Sequence, residues 1–518
     1  MLKSQDTQSF GKWRAFFWPV HRYELKKLVP MLIIFFSLSF DYNVLRCIKD
    51  TLVVTARGSG PEVIPYIKVW VMFPVSILLT WVFIRLSNRF EREKVFYSML
   101  GGFLAFFFLF AFVLYPHRES LSLHSFADFL TSVLPAGCKG LITMIRYWSF
   151  TLFYVMAELW GTIVLTLLFW GFANQVTKLE EAKRFYGLFG VGINISGIVA
   201  GCFSIYITNL VQSAAVSHDT WGQTLLWLNS SVVIAGLVAI AAFVHLNKTL
   251  KKHPTLSVSA SPKPKKSSRK LSMRENIRYL LSSRYILSLV AIVISYNLII
   301  NLVEILWKHE VKAMHPEAAA YNLFMNKVTV GIGILATLAS FFISGNFLRA
   351  FGWTKTALIT PIILLFTSIA FFGTFLMKGS PQFALYLAGV SPLTLTVFFG
   401  TLQNCLSRAS KYTVFDETKE IVFIPLSHEE KIKGKAAVDG ICNRLGKSGG
   451  SVIYQFLFLF FSTISASAPY VAIILFSIIG IWILATLSLG RQFNEKLLQG
   501  EQSAPILQQR DPAIVVSS

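Results

Sequence analysis

Long apolar runs recur along nearly the whole chain, and short polar segments separate them. Each run is about 20 residues long, which is the length that an α-helix needs to cross a hydrocarbon core ~30 Å thick. The runs are continuous and do not alternate with polar residues, so the short alternating strands of a membrane β-barrel are excluded. The pattern predicts about twelve transmembrane helices, at 28–48, 66–86, 96–115, 148–173, 186–211, 223–246, 284–306, 325–349, 355–377, 381–405, 437–465 and 468–490.

The composition supports an integral membrane protein. Hydrophobic residues make up 54% of the chain and charged residues only 14%, with a mean hydropathy of +0.58, whereas soluble proteins carry about 25% charged residues. The formal net charge is +22, but most of it lies between the apolar runs, where positive charge sets the topology of a membrane protein. We therefore expect the lipid bilayer as the surrounding partner and no nucleic acid.

The basic segments all fall on one side of the predicted membrane. They are the N-terminal segment, a linker between spans six and seven, and the stretches 85–94, 178–184, 349–355 and 408–435. The positive-inside rule makes that side cytoplasmic, and an even number of spans places both termini there. The predicted organisation is a cytoplasmic segment 1–27, a six-helix half 28–246, a basic cytoplasmic linker 247–283, a second six-helix half 284–490 and a cytoplasmic tail 491–518.

The linker and the N-terminal segment, which both lie outside the predicted spans, indicate how the chain is organised and in which membrane it lies. The linker carries ten Lys or Arg within 247–278 and one acid, Glu275, and its centre is rich in Ser, Pro and Lys, a composition typical of a disordered tether. The first 27 residues contain neither the apolar core of a cleavable signal peptide nor a long Ser/Arg-rich transit segment. This favours the inner membrane of a bacterium over a plastid.

The two predicted halves share a pattern before their fifth spans. EEAKRFYGLFGVGINISG, from Glu180, and EEKIKGKAAVDGICNRLGKSGG, from Glu429, both place a charged patch before the Gly-rich start of a span. Parallel six-span repeats are typical of major-facilitator-type transporters, whose substrates bind near the midplane between the halves. The predicted fold is therefore an all-α, major-facilitator-like membrane protein.

Four ionisable residues lie inside or at the mouth of apolar spans: Lys49, Glu158, Glu304 and Lys447. Insertion scales put the cost of a charge at mid-bilayer at ~2.5–3.5 kcal/mol, so an intramembrane charge favours a functional role. Two cations and two carboxylates suit a site that binds and releases phosphates, because lysines neutralise phosphate as point charges. In the alternative interpretation, the two lysines extend to the headgroups and Glu304 is a solvated helix end.

Further cations and aromatic residues lie near these charges. Arg46 and Arg146 lie at span ends, and Arg444 lies one helical turn before Lys447, on a helix that we predict to continue into the eleventh span. Six nearby aromatic residues offer faces for stacking a base, although such residues more often pack in membranes. They are Tyr42, Trp148, Phe150, Phe153, Tyr154 and Trp160.

The spacing of other motifs excludes several kinds of site. The five cysteines are scattered without a CxxC pair, so neither disulfides nor a metal site is indicated. GICNRLGKS has five residues between its first Gly and GK, one more than a Walker A motif allows. Gly446, Gly449 and Gly450 instead predict close helix packing. With no catalytic motif present, we expect neither an enzyme nor a cofactor.

Several motifs resemble those of one known family. In chain order between about Phe10 and Arg491, they are NVLRCIKDTLVVTA, GSGPEVIPYIKVW, AELWG, FWGFANQVTKLEEAKRFYGLFGVGIN, NLVEILWK, KYTVFDETKE, IPL and KGKAAVDGICNRLGKSGGS. The family is that of the nucleotide transporters, the non-mitochondrial ATP/ADP translocases of obligate intracellular bacteria and plastids. The resemblance implies nucleotide counter-exchange without hydrolysis. It also implies functional roles for the charges of the KDTLVVTA, ELWG, NLVE and GKSGG motifs, which are Lys49, Glu158, Glu304 and Lys447.

One position departs from the family pattern. The ATP/ADP exchangers of the family typically read LRDTKD, whereas this chain reads LRCIKD, with Cys47 and Ile48 in place of Asp and Thr. The resemblance implies exchange of host ATP for ADP by alternating access, or a paralogue that carries several ribonucleotides, carries nicotinamide adenine dinucleotide against ADP, or couples nucleotide import to protons. An anion channel lined by Lys and Arg is a more remote alternative. We expect a monomer, because a twelve-span carrier already encloses its own site.

Overall fold

A computed structural model of the chain describes residues 20–214, 219–252, 283–342, 346–386, 389–426, 428–435, 438 and 442–503. Within these ranges the regular elements are helices, and no strand occurs. The apolar runs account for this, because a backbone in lipid has to satisfy its own polar groups, and a helix does so within one segment. The predicted all-α fold is confirmed.

The described α-helices are numbered in chain order. Those before the linker are α1 (Leu25–Thr55), α2 (Val63–Tyr66), α3 (Phe73–Arg89), α4 (Arg92–Leu109), α5 (Arg118–Leu121), α6 (His124–Val133), α7 (Lys139–Arg146), α8 (Trp148–Leu159), α9 (Gly171–Val176), α10 (Leu179–Ala214) and α11 (Thr220–Lys252). Those after the linker are α12 (Arg284–Met314), α13 (Ala318–Phe342), α14 (Asn346–Met377), α15 (Pro381–Tyr386), α16 (Pro392–Ser410), α17 (Asp416–Ile421), α18 (His428–Lys435), α19 (Asn443–Phe460) and α20 (Ile464–Ser503).

In the described part of the chain, ten helical stretches are long and apolar enough to cross a membrane. They are Arg22–Thr55, Val63–Arg89, Arg92–Leu114, Trp148–Val176, Arg184–Ala214, Thr220–Lys252, Arg284–Met314, Ala318–Ser340, Phe351–Met377 and Ile464–Leu498. Each overlaps one of the twelve predicted spans. The other two predicted spans, 381–405 and 437–465, overlap α16 and α19, and the apolar part of α19 is the shorter helix Ser448–Phe460.

Three segments of π-helix join neighbouring α-helices into longer rods, and a fourth extends the end of α4. They are Ile67–Met72 between α2 and α3, Phe110–Leu114 after α4, Trp160–Trp170 between α8 and α9, and Lys411–Phe415 between α16 and α17. A π-helix is rare and occurs frequently at functional sites. Three of these segments adjoin an intramembrane charge: Lys68 lies inside the first, Glu158 lies two residues before the third, and Arg408 lies three residues before the fourth.

Sequence signals set the starts of two helices that carry charges. Ser283 precedes α12, and its side chain accepts a hydrogen bond from the Ile286 N–H at 3.4 Å. Ser391 precedes α16, and Pro392 is the first residue of that helix. A Ser cap and a Pro in the first turn both favour helix initiation, so the start of each of these helices follows from local sequence.

The chain divides into two compact units, each of which is described by itself. The first consists of Met1–Asp50, Pro74–Leu121 and Leu152–Ser267, and the second of Thr51–Phe73, Ser122–Thr151 and Ser268–Ser518. The second unit therefore combines two early segments with the helices that follow the linker. Most of the linker predicted at 247–283 lies outside the described residues, and the predicted domain boundaries stay a prediction.

Aromatic side chains form much of the core of the first unit. Phe96 stacks on Phe243 with ring centroids 3.8 Å apart. Trp160 is fully buried, and its Nε1 donates to the Leu38 carbonyl at 2.9 Å. This bond joins α1 to the π segment that follows Glu158, so it fixes the two helices against each other at that level.

In the second unit, hydrogen bonds hold the segment Thr51–Phe73 to the later helices. Lys68 Nζ donates to Asn301 Oδ1 on α12 at 2.7 Å, and Lys312 on the same helix donates to the Ser59 carbonyl. Three further bonds join Gln455 to Pro65, Trp70 to Gln455 and Asn322 to Thr51. The segment is therefore bound to α12, α13 and α19 at several points.

Glycines bring α19 close to α12, as the sequence predicts. A Cβ atom added to each of these glycines would meet a side chain of α12 at 3.0 Å or less. The contacts would be Gly446 with Asn297 at 2.7 Å, Gly449 with Leu298 at 3.0 Å and Gly450 with Asn301 at 2.8 Å. Small residues thus let the two helices approach to backbone contact, as they do in membranes.

Candidate functional site

Lys49 and Glu158 come together inside the first unit. Lys49 lies on α1, and its Nζ is 3.1 Å from Glu158 Oε2 on α8. The same ammonium group is 3.0 Å from Asp50 Oδ1 and 4.1 Å from the ring centroid of Tyr154. Lys49 is only 5% exposed, so its charge is buried in an ion pair rather than extended towards lipid headgroups.

Asp50 is a member of this cluster that the sequence analysis did not select. Its side chain is buried beside Lys49, where a carboxylate and an ammonium offset part of each other's desolvation cost. The sequence could have indicated Asp50, since it is a charged residue inside the same apolar helix as Lys49. Glu158 differs from Asp50, because 32% of its side chain is exposed. Glu158 is therefore the carboxylate of this cluster that a ligand can reach.

Close packing between helices sets the position of Glu158. A Cβ atom added to Gly161 would lie 3.0 Å from the ring of Tyr42 on α1. Together with the Trp160 hydrogen bond, this contact brings the two backbones close and keeps Glu158 facing Lys49. A small residue is needed at Gly161 because any side chain there would push the helices apart.

Glu304 lies on α12 between two cations of the second unit. Lys308, one turn later on the same helix, places Nζ 2.9 Å from Glu304 Oε1. Arg408 on α16 places Nη2 3.4 Å from the same oxygen. The exposed fractions are 15% for Glu304, 2% for Lys308 and 17% for Arg408, so Glu304 belongs to a buried ion cluster and is not a solvated helix end.

The sequence analysis missed both of these cations. The predicted seventh span ends at 306, whereas α12 continues to Met314 and carries Lys308 within it. Arg408 opens the predicted cytoplasmic segment 408–435, and which side of the membrane it occupies stays a prediction. In the structure Arg408 lies inside α16, which passes through the π segment into α17 without a break.

A polar stripe runs along α12 beside the cluster. Asn297, Asn301, Glu304 and Lys308 follow one another at intervals of four, three and four residues, so they share one face of the helix. Lys68 donates to Asn301 on this stripe. Lys68 is another cation within an apolar span that the sequence analysis did not select, although sixteen uncharged residues separate it from Arg85, the next charge in the second span.

The structure describes the side chains of some of the other predicted cations but not of all of them. Lys447 and Arg444 lie on α19, which continues into the apolar helix as predicted, but their side chains lie outside the described part of the structure. Arg46 is half-buried on α1. Arg146 ends α7 and pairs at 2.6 Å with the exposed Asp128, which gives no support for a substrate role because surface ion pairs are common and weak.

The predicted aromatic residues separate into two kinds. Tyr154 lies against the Lys49 ammonium, where the ring can stabilise a cation. Phe153 and Trp160 are fully buried and belong to the packing of the first unit.

Cys47, the residue that departs from the family pattern, is buried on α1 two residues before Lys49.

The fold defines the class of protein. The chain superimposes on a bacterial homologue of the lysosomal transporter Spinster with a TM-score of 0.53 and 11% identity, covering 92% of this chain and 99% of that one. It superimposes on a D-xylose-proton symporter with a TM-score of 0.52 and 12% identity, covering 90% and 97%. The predicted major-facilitator-like fold of a multi-pass membrane protein is confirmed.

The chain belongs to the TLC ATP/ADP transporter family, whose model matches residues 3–493. It is 42% identical over 513 residues to ADP,ATP carrier protein 1 of Chlamydia pneumoniae, covering 98% of this chain and 99% of the relative. It is 41% identical over 470 residues to the chloroplastic ADP,ATP carrier protein 1 of Arabidopsis thaliana, covering 91% of this chain and 74% of the relative. The resemblance inferred from the motifs is confirmed.

Proposed function

We propose that this protein is a nucleotide antiporter that exchanges ATP for ADP across a membrane by alternating access. Membership of the family, and 42% identity over almost the whole chain to a carrier named for ADP and ATP, support both substrates. The structural observation that carries the proposal is the buried pair of Lys49 and Glu158. Charges are retained inside apolar helices chiefly where a substrate or ion requires them.

In this proposal the carboxylates are the counter-ions of the empty site. Lys49 is neutralised by Asp50 and Glu158, and Glu304 is neutralised by its two cations. An incoming polyphosphate takes the place of a carboxylate beside a cation, so the buried cation keeps an anionic partner; losing that partner would be strongly unfavourable. Replacing one anion by another costs little, and the nucleotide is therefore bound without being trapped.

The same charges favour strict exchange. The loaded carrier, with its cations screened by phosphate, changes access quickly, whereas the unbalanced charge of the empty site makes the empty carrier change access slowly. On the family resemblance we assign Lys447 a role like that of Lys49. We assign no hydrolytic step and no cofactor, because transport by this scheme uses only the gradients of the two nucleotides.

The location and assembly form part of the proposal. Ten helical stretches that can cross a membrane identify a multi-pass membrane protein. The distribution of basic residues supports the inner membrane of an intracellular bacterium with both termini in the cytoplasm. We propose a monomer surrounded by the lipid bilayer.

Uptake of labelled ATP into proteoliposomes tests the function. The vesicles are preloaded with ADP, with other nucleotides, or with buffer alone, and we expect uptake that depends on internal ADP, with the label recovered as ATP. Uptake into empty vesicles driven by acid outside pH would show proton coupling instead. Preference for other nucleotides would show a paralogue and make Cys47 the first residue to examine. Flux that does not saturate would show a channel.

The variant Lys49→Ala tests the site in the same assay. We expect exchange to fall by about 10-fold or more, because hydrogen bonds to charged groups are worth ~1.5–3 kcal/mol. Lys248→Ala, an exposed lysine near the end of α11, is the matched control and should exchange at the wild-type rate. Wild-type exchange by Lys49→Ala at equal protein amounts would contradict the assignment.

A further inference from the structure

The two buried ion clusters differ in the balance of their charges. The first cluster, in the first unit, consists of Lys49, Asp50 and Glu158. The second cluster, in the second unit, consists of Glu304, Lys308 and Arg408. Among the ion pairs of the described residues, one cation thus faces two carboxylates in the first cluster, whereas two cations share one carboxylate in the second.

The two clusters occupy corresponding places along the chain. Helices α1 and α12 each contain 31 residues, and counting from Leu25 and Arg284, Lys49 and Lys308 stand at the same position. Glu158 and Arg408 each lie shortly before a π segment, Glu158 within the fourth predicted span of its half and Arg408 three residues beyond the end of the fourth predicted span of the other. The helices that overlap these two spans therefore contribute a carboxylate to the first cluster and a guanidinium to the second.

We propose that Lys308 and Arg408 form a phosphate-binding subsite for the transported nucleotide, with Glu304 as their counter-ion when the subsite is empty. This inference rests on the proposed function, since nucleotide phosphate is the ligand. A guanidinium binds two phosphate oxygens at once through its planar fork, and the lysine adds a point charge. The first cluster offers a polyphosphate one cation, whereas the second offers two.

The geometry of the second cluster favours a change of partner by Arg408, from Glu304 to a ligand. Its Nη2 lies 3.4 Å from Glu304, which is longer than the ~2.7–2.9 Å of a strong charge-assisted bond. Lys308, at 2.9 Å, keeps the carboxylate paired, so Arg408 can turn towards a phosphate while Glu304 retains a partner. Arg408 is also much more exposed than Lys308.

The test compares the wild type with Arg408→Lys and Arg408→Ala in exchange and binding. We expect Arg408→Lys, which keeps the charge but loses the fork, to raise the KM for ATP about 10-fold, with a smaller change in maximal rate. Inhibition of exchange by inorganic tripolyphosphate should weaken by a similar factor, and binding of AMP should change least. Arg284→Lys, an exposed arginine at the start of α12, is the matched control and should keep wild-type values.

The outcomes separate this inference from the proposed function. If the wild type exchanges ATP for ADP and Arg408→Lys keeps both its KM and its inhibition by tripolyphosphate, the subsite is overturned and the function stands. A lower maximal rate with unchanged KM for every nucleotide would show a purely structural role and would also overturn the subsite. If the wild type does not exchange these nucleotides, the function fails. Arg408→Ala is interpreted only if its melting temperature matches that of Arg408→Lys.

Discussion

At the scale of single residues, Lys49 retains its charge inside an apolar helix because two carboxylates lie within 3.1 Å of its Nζ. Burying each of these ions costs several kcal/mol, and their attraction repays this only with close geometry. Well-packed apolar side chains would often give equal or greater stability at such a place. The cluster is therefore better explained by an anionic substrate than by the stability of the fold.

The variant Glu158→Gln tests the role of the carboxylate as a counter-ion. In the wild type, the phosphate competes with the Glu158 carboxylate for Lys49. This competition is lost in Glu158→Gln, so we expect the KM for ATP to fall by about 3- to 10-fold. The maximal rate should fall as well, because Asp50 is then the one carboxylate of this cluster left to displace the bound phosphate. Initial rates of ATP uptake into ADP-loaded vesicles give both values. A raised KM with an unchanged rate would contradict this role, and Glu119→Gln, an exposed carboxylate on α5, serves as the control.

Charges in apolar runs can be predicted from sequence, but their partners cannot. Lys49, Glu158 and Glu304 stand out because each interrupts a hydrophobic pattern. That Lys49 meets Glu158, or that Glu304 meets Arg408, depends on how helices far apart in the chain pack against each other. Neither hydropathy nor spacing contains that information.

At the scale of helices, the ends of spans were harder to predict than their existence. A prediction from hydropathy ends a span where charges begin, so the predicted span ended at 405 and left Arg408 outside it. The structure continues the helix through Lys411–Phe415 into α17. Pairing with Glu304 offsets part of the cost of burying the Arg408 cation. The helix therefore extends beyond the predicted span end at a place where an ion pair offsets the cost of a charge.

Two glycine variants test the packing of α19 against α12. Gly446→Ala places a methyl group 2.7 Å from the Cβ of Asn297 and 3.2 Å from a backbone oxygen of Ile294, so we expect a loss of about 1–3 kcal/mol through overpacking. Gly480→Ala on α20 meets nothing within 4 Å and should be neutral or raise stability by up to ~1 kcal/mol through helix propensity. Melting temperatures of the purified proteins in one detergent give the comparison. Equal values for the two variants would contradict the close approach.

At the scale of the whole molecule, hydropathy predicted each of the ten membrane-length helical stretches among the described residues, whereas it did not predict the composition of the second unit. That unit includes Thr51–Phe73, which the sequence assigns to the first half. The bond between Lys68 and Asn301 joins residues separated by 233 positions. Such a contact depends on the tertiary arrangement of side chains, so it cannot be predicted from a short stretch of sequence.

Alternating access by movement of whole compact units predicts that contacts of this segment stay closed during transport, because both partners lie in the second unit. Ser59 and Lys312, which form one of them, can be replaced by cysteines in a variant that lacks the native cysteines. We expect a short bifunctional thiol reagent to join the pair and to leave exchange close to that of the untreated variant, with each single-cysteine variant also unaffected. Loss of exchange by protein that is completely cross-linked would show that this contact opens during the cycle.

The membership of Thr51–Phe73 in the second unit also has a consequence for biosynthesis. Ribosomes add about 5–20 residues per second, so Asn301 emerges roughly 12–47 s after Lys68 has been made. During that interval the early segment is in place at the membrane while its partner helices do not yet exist. The insertion machinery then has to protect Thr51–Phe73 until those helices have been made. Nascent chains arrested before α12 should expose this segment to protease or to thiol labelling. Chains released after α19 should not expose it.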